Sequence, residues 1–354
     1  MFAMHRLALA CLVALGLLQK TPVPEIAFDA DAGFLKLPDT LYFGEVAGVA
    51  VNSHGHVFAF SRGGTTGPAF GAAASQLFEF DRTGAFVREI GKGLYAMSYA
   101  HSVRIDRDDN IWIVDKGSDM IVKLTPQGRA AMVFGRKKEA SDEAAPWTRV
   151  TPPRPHVNGM FRQPTDVTWD SQGNIFISDG YVNSRVAKYD RNGDWVKSWG
   201  EKGSKDGQFD TPHAIAADAR GNIYVADRGN RRIQVFNSDG AYQRSISVTG
   251  VPVPPGAKPA IGDPIAAEAT GTQAPGAPWT LCITPPPNQV LFTSDSYPGR
   301  IYKLSLDGTL LGVLGTSGKQ PKQFGWIHAI ACPSDHELYV AELLNWRVQK
   351  LTLR

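Results

Sequence analysis

Three histidines, His101, His213 and His328, stand 112 and 115 residues apart in a chain of 354 residues that has eight histidines in all. Both intervals match two units of an internal repeat, so the imidazoles fall at one column of every second copy. In a ring of six copies, alternate units lie about a third of a turn apart, and three such side chains converge on the central axis. Neutral imidazole is a common metal ligand, and three protein ligands with a fourth position free is the arrangement of catalytic zinc sites. Ala47, Thr165 and Thr280 fill the column in the intervening copies, with no carboxylate among them. That donor set favours zinc first and other imidazole-loving divalent ions second. A lone histidine on a strand is more often a core residue bonded to backbone; three at alternate copies of one column favour the metal.

The second strand of each copy should end near the same face, so the residues after it overlook the proposed ion. They differ from copy to copy: Ser61-Arg62-Gly63, Asp115-Lys116-Gly117, Asp179-Gly180-Tyr181, Asp227-Arg228-Gly229, Asp295-Ser296-Tyr297 and Glu342-Leu343-Leu344. The recurring aspartate reads as structural, bonding backbone amides in turns. Arg62, Tyr181 and Arg228 are the candidates for chemistry. Singly each reads as surface or packing; together over three imidazoles they form an acid–base and anion-binding set.

The repeat that must position them is explicit. Pro164-Thr-Asp-Val-Thr-Trp-Asp170 with Gly173-Asn-Ile-Phe-Ile-Ser-Asp179 is echoed by Pro212-His-Ala-Ile-Ala-Ala-Asp218 with Gly221-Asn-Ile-Tyr-Val-Ala-Asp227. Short alternating apolar runs punctuated by Asp, Asn and Gly specify antiparallel hairpins. Six copies align on the first strand, and a turn before an outer strand recurs at Gly84, Gly128, Gly193, Gly240 and Gly308. The sixth copy runs out at Arg354 after its third strand, and an open edge is a liability. The alternating segment from Ile26 to Leu37 can supply the missing strand. The expected fold is all-β: a six-bladed β-propeller over residues 26–354, its last blade closed by the N-terminal strand. Two long insertions, Lys137 to Met160 and Val251 to Pro278, and a shorter loop, Gly63 to Ala74, interrupt the period; loops of such length are functional or mobile.

Composition sets the remaining bounds. With 43% hydrophobic and 20% charged residues and a net charge of +3, the chain is an ordinary globular protein without the concentrated basic face that nucleic-acid binding needs. His5 and Arg6 precede the apolar run Leu7 to Leu18. That run is too short to span a bilayer but suits a secretion signal over residues 1–20, which makes export to a periplasmic or extracellular space the expectation. Outside this segment only Cys282 and Cys332 remain. They fall at different repeat columns, which leaves a disulfide open without indicating one. A closed ring has few exposed edges, so a monomer is expected, acting on a small-molecule or peptide substrate.

The phrase from Gly221 to Phe236 resembles the NHL repeat. Ser61-Arg-Gly63, His101 with Asp106 to Asp115, Gln163-Pro-Thr-Asp-Val167, Ser178-Asp-Gly-Tyr-Val-Asn-Ser-Arg185, Gly207-Gln-Phe209 and Pro212-His213 are similar to the peptidyl-α-hydroxyglycine α-amidating lyase family. The resemblance runs from about Gly44 to the C-terminus. It implies a catalytic zinc on His101, His213 and His328, a catalytic arginine and tyrosine at Arg62 and Tyr181, and a further site arginine at Arg228. It also implies cleavage of a peptide ending in α-hydroxyglycine to a peptide amide and glyoxylate. The family's structural calcium would involve the carbonyls of Val49 and Val103, but the acid expected directly after the third histidine is Ala329. Trp326 and Val182 also replace a family methionine and a family cysteine. Two other readings stay open on the residues alone: a non-catalytic propeller that binds a protein or peptide, and a metal-dependent lyase or hydrolase on another small substrate.

Overall fold

A computed structural model describes residues 23–63, 74–137, 155–266 and 269–354. The leader reading of residues 1–20 lies outside these residues, as do most of the loop 63–74 and of the insertion 137–160. Among the described residues no helix is long and apolar enough to cross a membrane.

The chain forms six four-stranded antiparallel sheets in sequence order. Their inner strands are Glu45–Val51, Ala100–Ile105, Asp166–Trp169, Pro212–Ala217, Thr280–Ile283 and Ile327–Ala331. Each inner strand packs against the next, and the sixth returns to the first, so the sheets close a ring. The expected six-bladed propeller is the observed fold. The strand Phe28–Asp31 pairs antiparallel with Arg347–Leu353, Phe28 opposite Leu353 and Asp31 opposite Lys350. It is the fourth strand of blade six, and this pairing covers the edge left where the chain ends.

The core is divided rather than central. Six apolar clusters lie one between each pair of neighbouring blades; Phe176, Phe209, Ile215 and Phe236, for example, fill the gap between blades three and four. Strand alternation produces this, because successive side chains face the preceding and the following blade in turn. The turns that launch the outer strands use glycine for its left-handed conformation: Gly193 has φ 90° and Gly240 φ 80°, where a Cβ would be strained.

The recurring acid at the end of each second strand is a structural clamp, as expected. Asp115 accepts the amides of Ser98 and Tyr99, Asp179 that of Arg162, Asp227 that of Asp210, Asp295 that of Gly276 and Glu342 that of Gly325. In blade one the hydroxyl of Ser61 does the same for Gly44. Each tie holds the segment entering the inner strand, and so sets the height at which the channel residues stand. In blade three the fully buried ion pair of Asp179 with Arg185, at 3.1 Å, extends this clamp: Arg185 also reaches the carbonyls of Val157 and Met160 at the end of the first insertion.

The disulfide that the sequence left open is formed. Cys282 and Cys332 are joined, with Cα atoms 6.0 Å apart, across a separation of 50 residues. The columns differ, but neighbouring inner strands are staggered, so the bond runs diagonally from blade five to blade six. In the loop-entropy picture, closing a loop of this length is worth roughly 4 kcal/mol. A Cys282→Ser variant is therefore expected to melt at a lower temperature by scanning calorimetry; equal melting of variant and wild type would show that the bond adds no stability.

Candidate metal centre and active site

The histidines owe their convergence to a local irregularity. Each sits where the pairing of the inner strand slips: between Ala100 and Ser102, between Pro212 and Ile215, and between Ile327 and Ala329. A bulge interrupts the strand's alternation and re-aims a side chain. Their rings stand 4.7, 4.8 and 4.9 Å apart, centroid to centroid, and one ring nitrogen from each lies within 4.8 Å of the others.

All three are oriented in the same way. The Nδ1–H of His101 donates to the carbonyl of Thr165 at 2.6 Å, that of His213 to Trp279 at 2.6 Å, and that of His328 to Ala47 at 2.7 Å. Every acceptor belongs to an odd-numbered blade. With Nδ1 committed as donor, the lone pair of Nε2 is left for a ligand, the arrangement that orients metal-binding histidines. Burial holds each imidazole well below its usual 6.5, and the charges of neighbouring imidazoles and of Arg62, Lys116 and Arg228 push the same way. The rings are thus neutral and ligand-competent at neutral pH. The donor set and its anchoring fit a divalent ion that favours nitrogen.

Tyr181 leans over this centre. Its hydroxyl lies 3.3 Å from Nε2 of His101 and 3.1 Å from Nε2 of His213. Burial opposes its ionisation, but Arg228, Lys116 and Arg62 together bring the phenol below its ordinary value of 10, with Arg228 also donating a hydrogen bond. The Lys116 ammonium sits 3.9 Å above the tyrosine ring. Arg228 occupies a single 3-10 turn, Arg228–Asn230, with its guanidinium 4.0 Å from the Trp279 ring and 5.5 Å from that of Tyr181. Arg62 is held one step back, bonded to the Ala100 carbonyl, Glu45 and the Tyr99 hydroxyl, and stacked 4.1 Å over Tyr99.

The structure therefore brings together all six candidates from the sequence, with one difference in detail: Arg228 is the cation that bonds the tyrosine hydroxyl, while Arg62 acts on it through its charge. Two neighbours were not singled out. Lys116 stands in the same column as Arg62 and Arg228, directly after the clamping residue of its blade, so three cations in one column was the available signal. Trp279 packs 5.0 Å from His213 and 6.0 Å from His328. It directly follows the second insertion, which Arg231 fastens through the carbonyls of Ala269 and Pro275, and no local pattern marks it.

Val49 and Val103 are buried on the inner strands of blades one and two, and Ala329 offers no side-chain ligand. The carboxylate of Asp166, bonded to Ser102 beside Val103, is already paired with Arg104. With Asp166 committed to Ser102 and Arg104 and alanine at position 329, the expected calcium site lacks its carboxylate.

Gly180 explains how closely Tyr181 is seated. A Cβ at this position would stand 1.9 Å from the Pro212 carbonyl and 2.9 Å from the Thr165 side chain. Both contacts adjoin the metal centre, Pro212 preceding His213 and Thr165 accepting from His101. A Gly180→Ala change forces these backbones apart; we expect a folded protein of lower melting temperature with any turnover reduced at least tenfold. Unchanged melting and turnover would show that the approach is not needed.

Comparison with known proteins agrees with this picture. Residues 209–236 match the NHL repeat family. The chain is 29% identical over 227 residues to the probable peptidyl-α-hydroxyglycine α-amidating lyase pgal-1 of Caenorhabditis elegans, covering 59% of this chain and 60% of the relative. It is 26% identical over 286 residues to peptidyl-α-hydroxyglycine α-amidating lyase 1 of Drosophila melanogaster, covering 77% of this chain and 47% of that one. The matches thus span less than two thirds of either relative. Among solved structures, virginiamycin B lyase from Staphylococcus aureus superposes with a TM-score of 0.54 at 14% identity, over 93% of this chain and 100% of that one, a likeness of fold. Repeat, ring and relatives converge: the chain is a six-bladed β-propeller that carries an NHL repeat and is similar in sequence to peptidyl-α-hydroxyglycine α-amidating lyases.

Proposed function

We propose that the protein is a zinc-dependent lyase that cleaves the C–N bond of a peptidyl-α-hydroxyglycine-like carbinolamide, giving a peptide amide and glyoxylate. The observation that carries this reading is a phenol hydroxyl 3.1 and 3.3 Å from the free nitrogens of two of three converging imidazoles. A structural histidine cluster would not need a tyrosine with a depressed pKa in contact with its lone pairs.

His101, His213 and His328 would hold the ion, which when bound supplies Lewis-acid polarisation of the substrate hydroxyl. The chain's own residues do the rest. Tyr181, as phenolate, takes the hydroxyl proton as general base; the O–H electrons form the aldehyde C=O, and the C–N electrons leave with nitrogen. That nitrogen receives the proton back from Tyr181, so no external acid is required. Arg228 and Lys116 keep the phenolate favourable before the transfer, and Arg62 adds positive charge to the same site; a guanidinium can bind the carboxylate of the glyoxylate half in a two-pronged fashion.

Export is part of the same proposal. The disulfide between Cys282 and Cys332 is a feature of oxidising compartments, in keeping with the leader-like composition of residues 1–20.

The deciding experiment is elemental analysis of purified protein followed by incubation with a dansylated peptidyl-α-hydroxyglycine. Glyoxylate release, abolished by chelation and restored by zinc, is the expected result. Bound metal without glyoxylate would replace the substrate by another small molecule; neither metal nor glyoxylate would leave a binding scaffold.

A further inference from the structure

Below the imidazoles, the channel holds a charged pair that the reaction does not use. Asp166 is only 2% exposed and lies at the start of the inner strand of blade three. Arg104, from blade two, grips it side-on, with Nε 2.9 Å from Oδ1 and Nη2 2.5 Å from Oδ2. The same carboxylate accepts the Ser102 hydroxyl at 2.6 Å and the Ile215 amide at 3.2 Å. Arg104 crosses the channel to the Leu281 carbonyl of blade five at 3.1 Å.

The partners of this pair are the sequence neighbours of the metal centre. Ser102 follows His101, and Ile215 stands two residues after His213. Asp166 follows Thr165, whose carbonyl fixes His101; Leu281 stands two residues after Trp279, whose carbonyl fixes His213. One ion pair thus ties four blades together, at the strands that deliver two of the ligands and at the strands that orient them. The third ligand strand is joined through Thr280, whose hydroxyl accepts the Ile330 amide at 3.3 Å, two residues after His328.

We propose that Arg104 and Asp166 are positioning residues of the metal centre, an internal cation–carboxylate cross-tie that sets the spacing of the bulged strands and hence the affinity and geometry at the three imidazoles. A guanidinium fits this role because its planar fork engages one carboxylate through two bonds and keeps a donor for a third partner. Buried pairs of this sort are poor sources of net stability, which makes a specificity role the better account of its presence. The inference rests on the reading of the histidines as a metal centre.

Zinc alone is the probe. Its dissociation constant is measured by competition with a chromophoric chelator, and its geometry by the d–d absorption of the cobalt-loaded protein. The double variant Arg104→Met/Asp166→Asn removes both charges, leaves no lone buried ion, and retains an acceptor for Ser102 and Ile215. It is expected to melt cooperatively, bind zinc 10–100-fold more weakly, the range for lost outer-sphere support, and show an altered cobalt spectrum. Arg104→Lys keeps the charge but loses the fork, and is expected to fall between. Wild-type zinc affinity with an unchanged cobalt spectrum in the double variant overturns the proposal; if that variant does not fold, the same result in Arg104→Lys does so. Failure of the wild type to bind zinc is a separate outcome, and it removes the metal centre itself.

Discussion

A Tyr181→Phe protein is expected to keep its zinc and its melting temperature and to lose glyoxylate release by roughly 10²- to 10⁴-fold, the contribution of a positioned general base. The substitution removes one oxygen. The ring that packs edge-on against His101 and His213 and under Lys116 remains, so packing does not confound the result. The pH profile supplies a second readout. The base works ionised, so turnover rises with pH through the ionisation of Tyr181, which lies below 10 because Arg228, Lys116 and Arg62 outweigh burial. Below that point activity falls tenfold per pH unit. Lys116→Met removes one of those cations and is expected to move the rising limb to higher pH, whereas the Phe variant has no such limb. Zinc-loaded Tyr181→Phe with full turnover would exclude this residue as the base.

Much of this was legible in the residues because a repeat multiplies weak signals. No single strand of five residues identifies a propeller, but six aligned copies do, and the early end of the sixth pointed to the N-terminal strand that closes it. The same alignment revealed the imidazoles, since a residue type at every second copy of one column has a geometric meaning only in a ring. It failed where the structure departs from strict repetition. The slips of register at His101, His213 and His328 leave no mark in the alternating pattern, yet they aim the side chains. Cys282 and Cys332 bond across a stagger between strands that alignment by column conceals. Trp279 reaches the site from the end of an insertion, and Arg104 crosses the channel to Leu281, a contact that depends on ring diameter rather than on any local spacing. Lys116 is a different case: it shared a column with Arg62 and Arg228, and the column rather than the single residue carried the information.

A second large loss is expected from His213→Ala, because its imidazole does two jobs. Nε2 faces the other rings, while Nδ1–H satisfies the Trp279 carbonyl at 2.6 Å. Deleting the ring takes the donor set from three to two. Structural zinc in a four-ligand site is held by about 10–16 kcal/mol, or roughly 3 kcal/mol per ligand. Zinc affinity should accordingly fall by 10²-fold or more, and turnover at fixed metal with it. The unpaired Trp279 carbonyl adds a stability cost of about 1–3 kcal/mol, too little to unfold a ring with six separate cores of apolar contacts. The far-ultraviolet β signature and a cooperative melt are therefore expected to survive while the zinc is lost. A His213→Ala protein that binds zinc as tightly as the wild type would reject His213 as a ligand. The alternating column would then be a pattern of folding, with each imidazole serving only to bond the blade beside it.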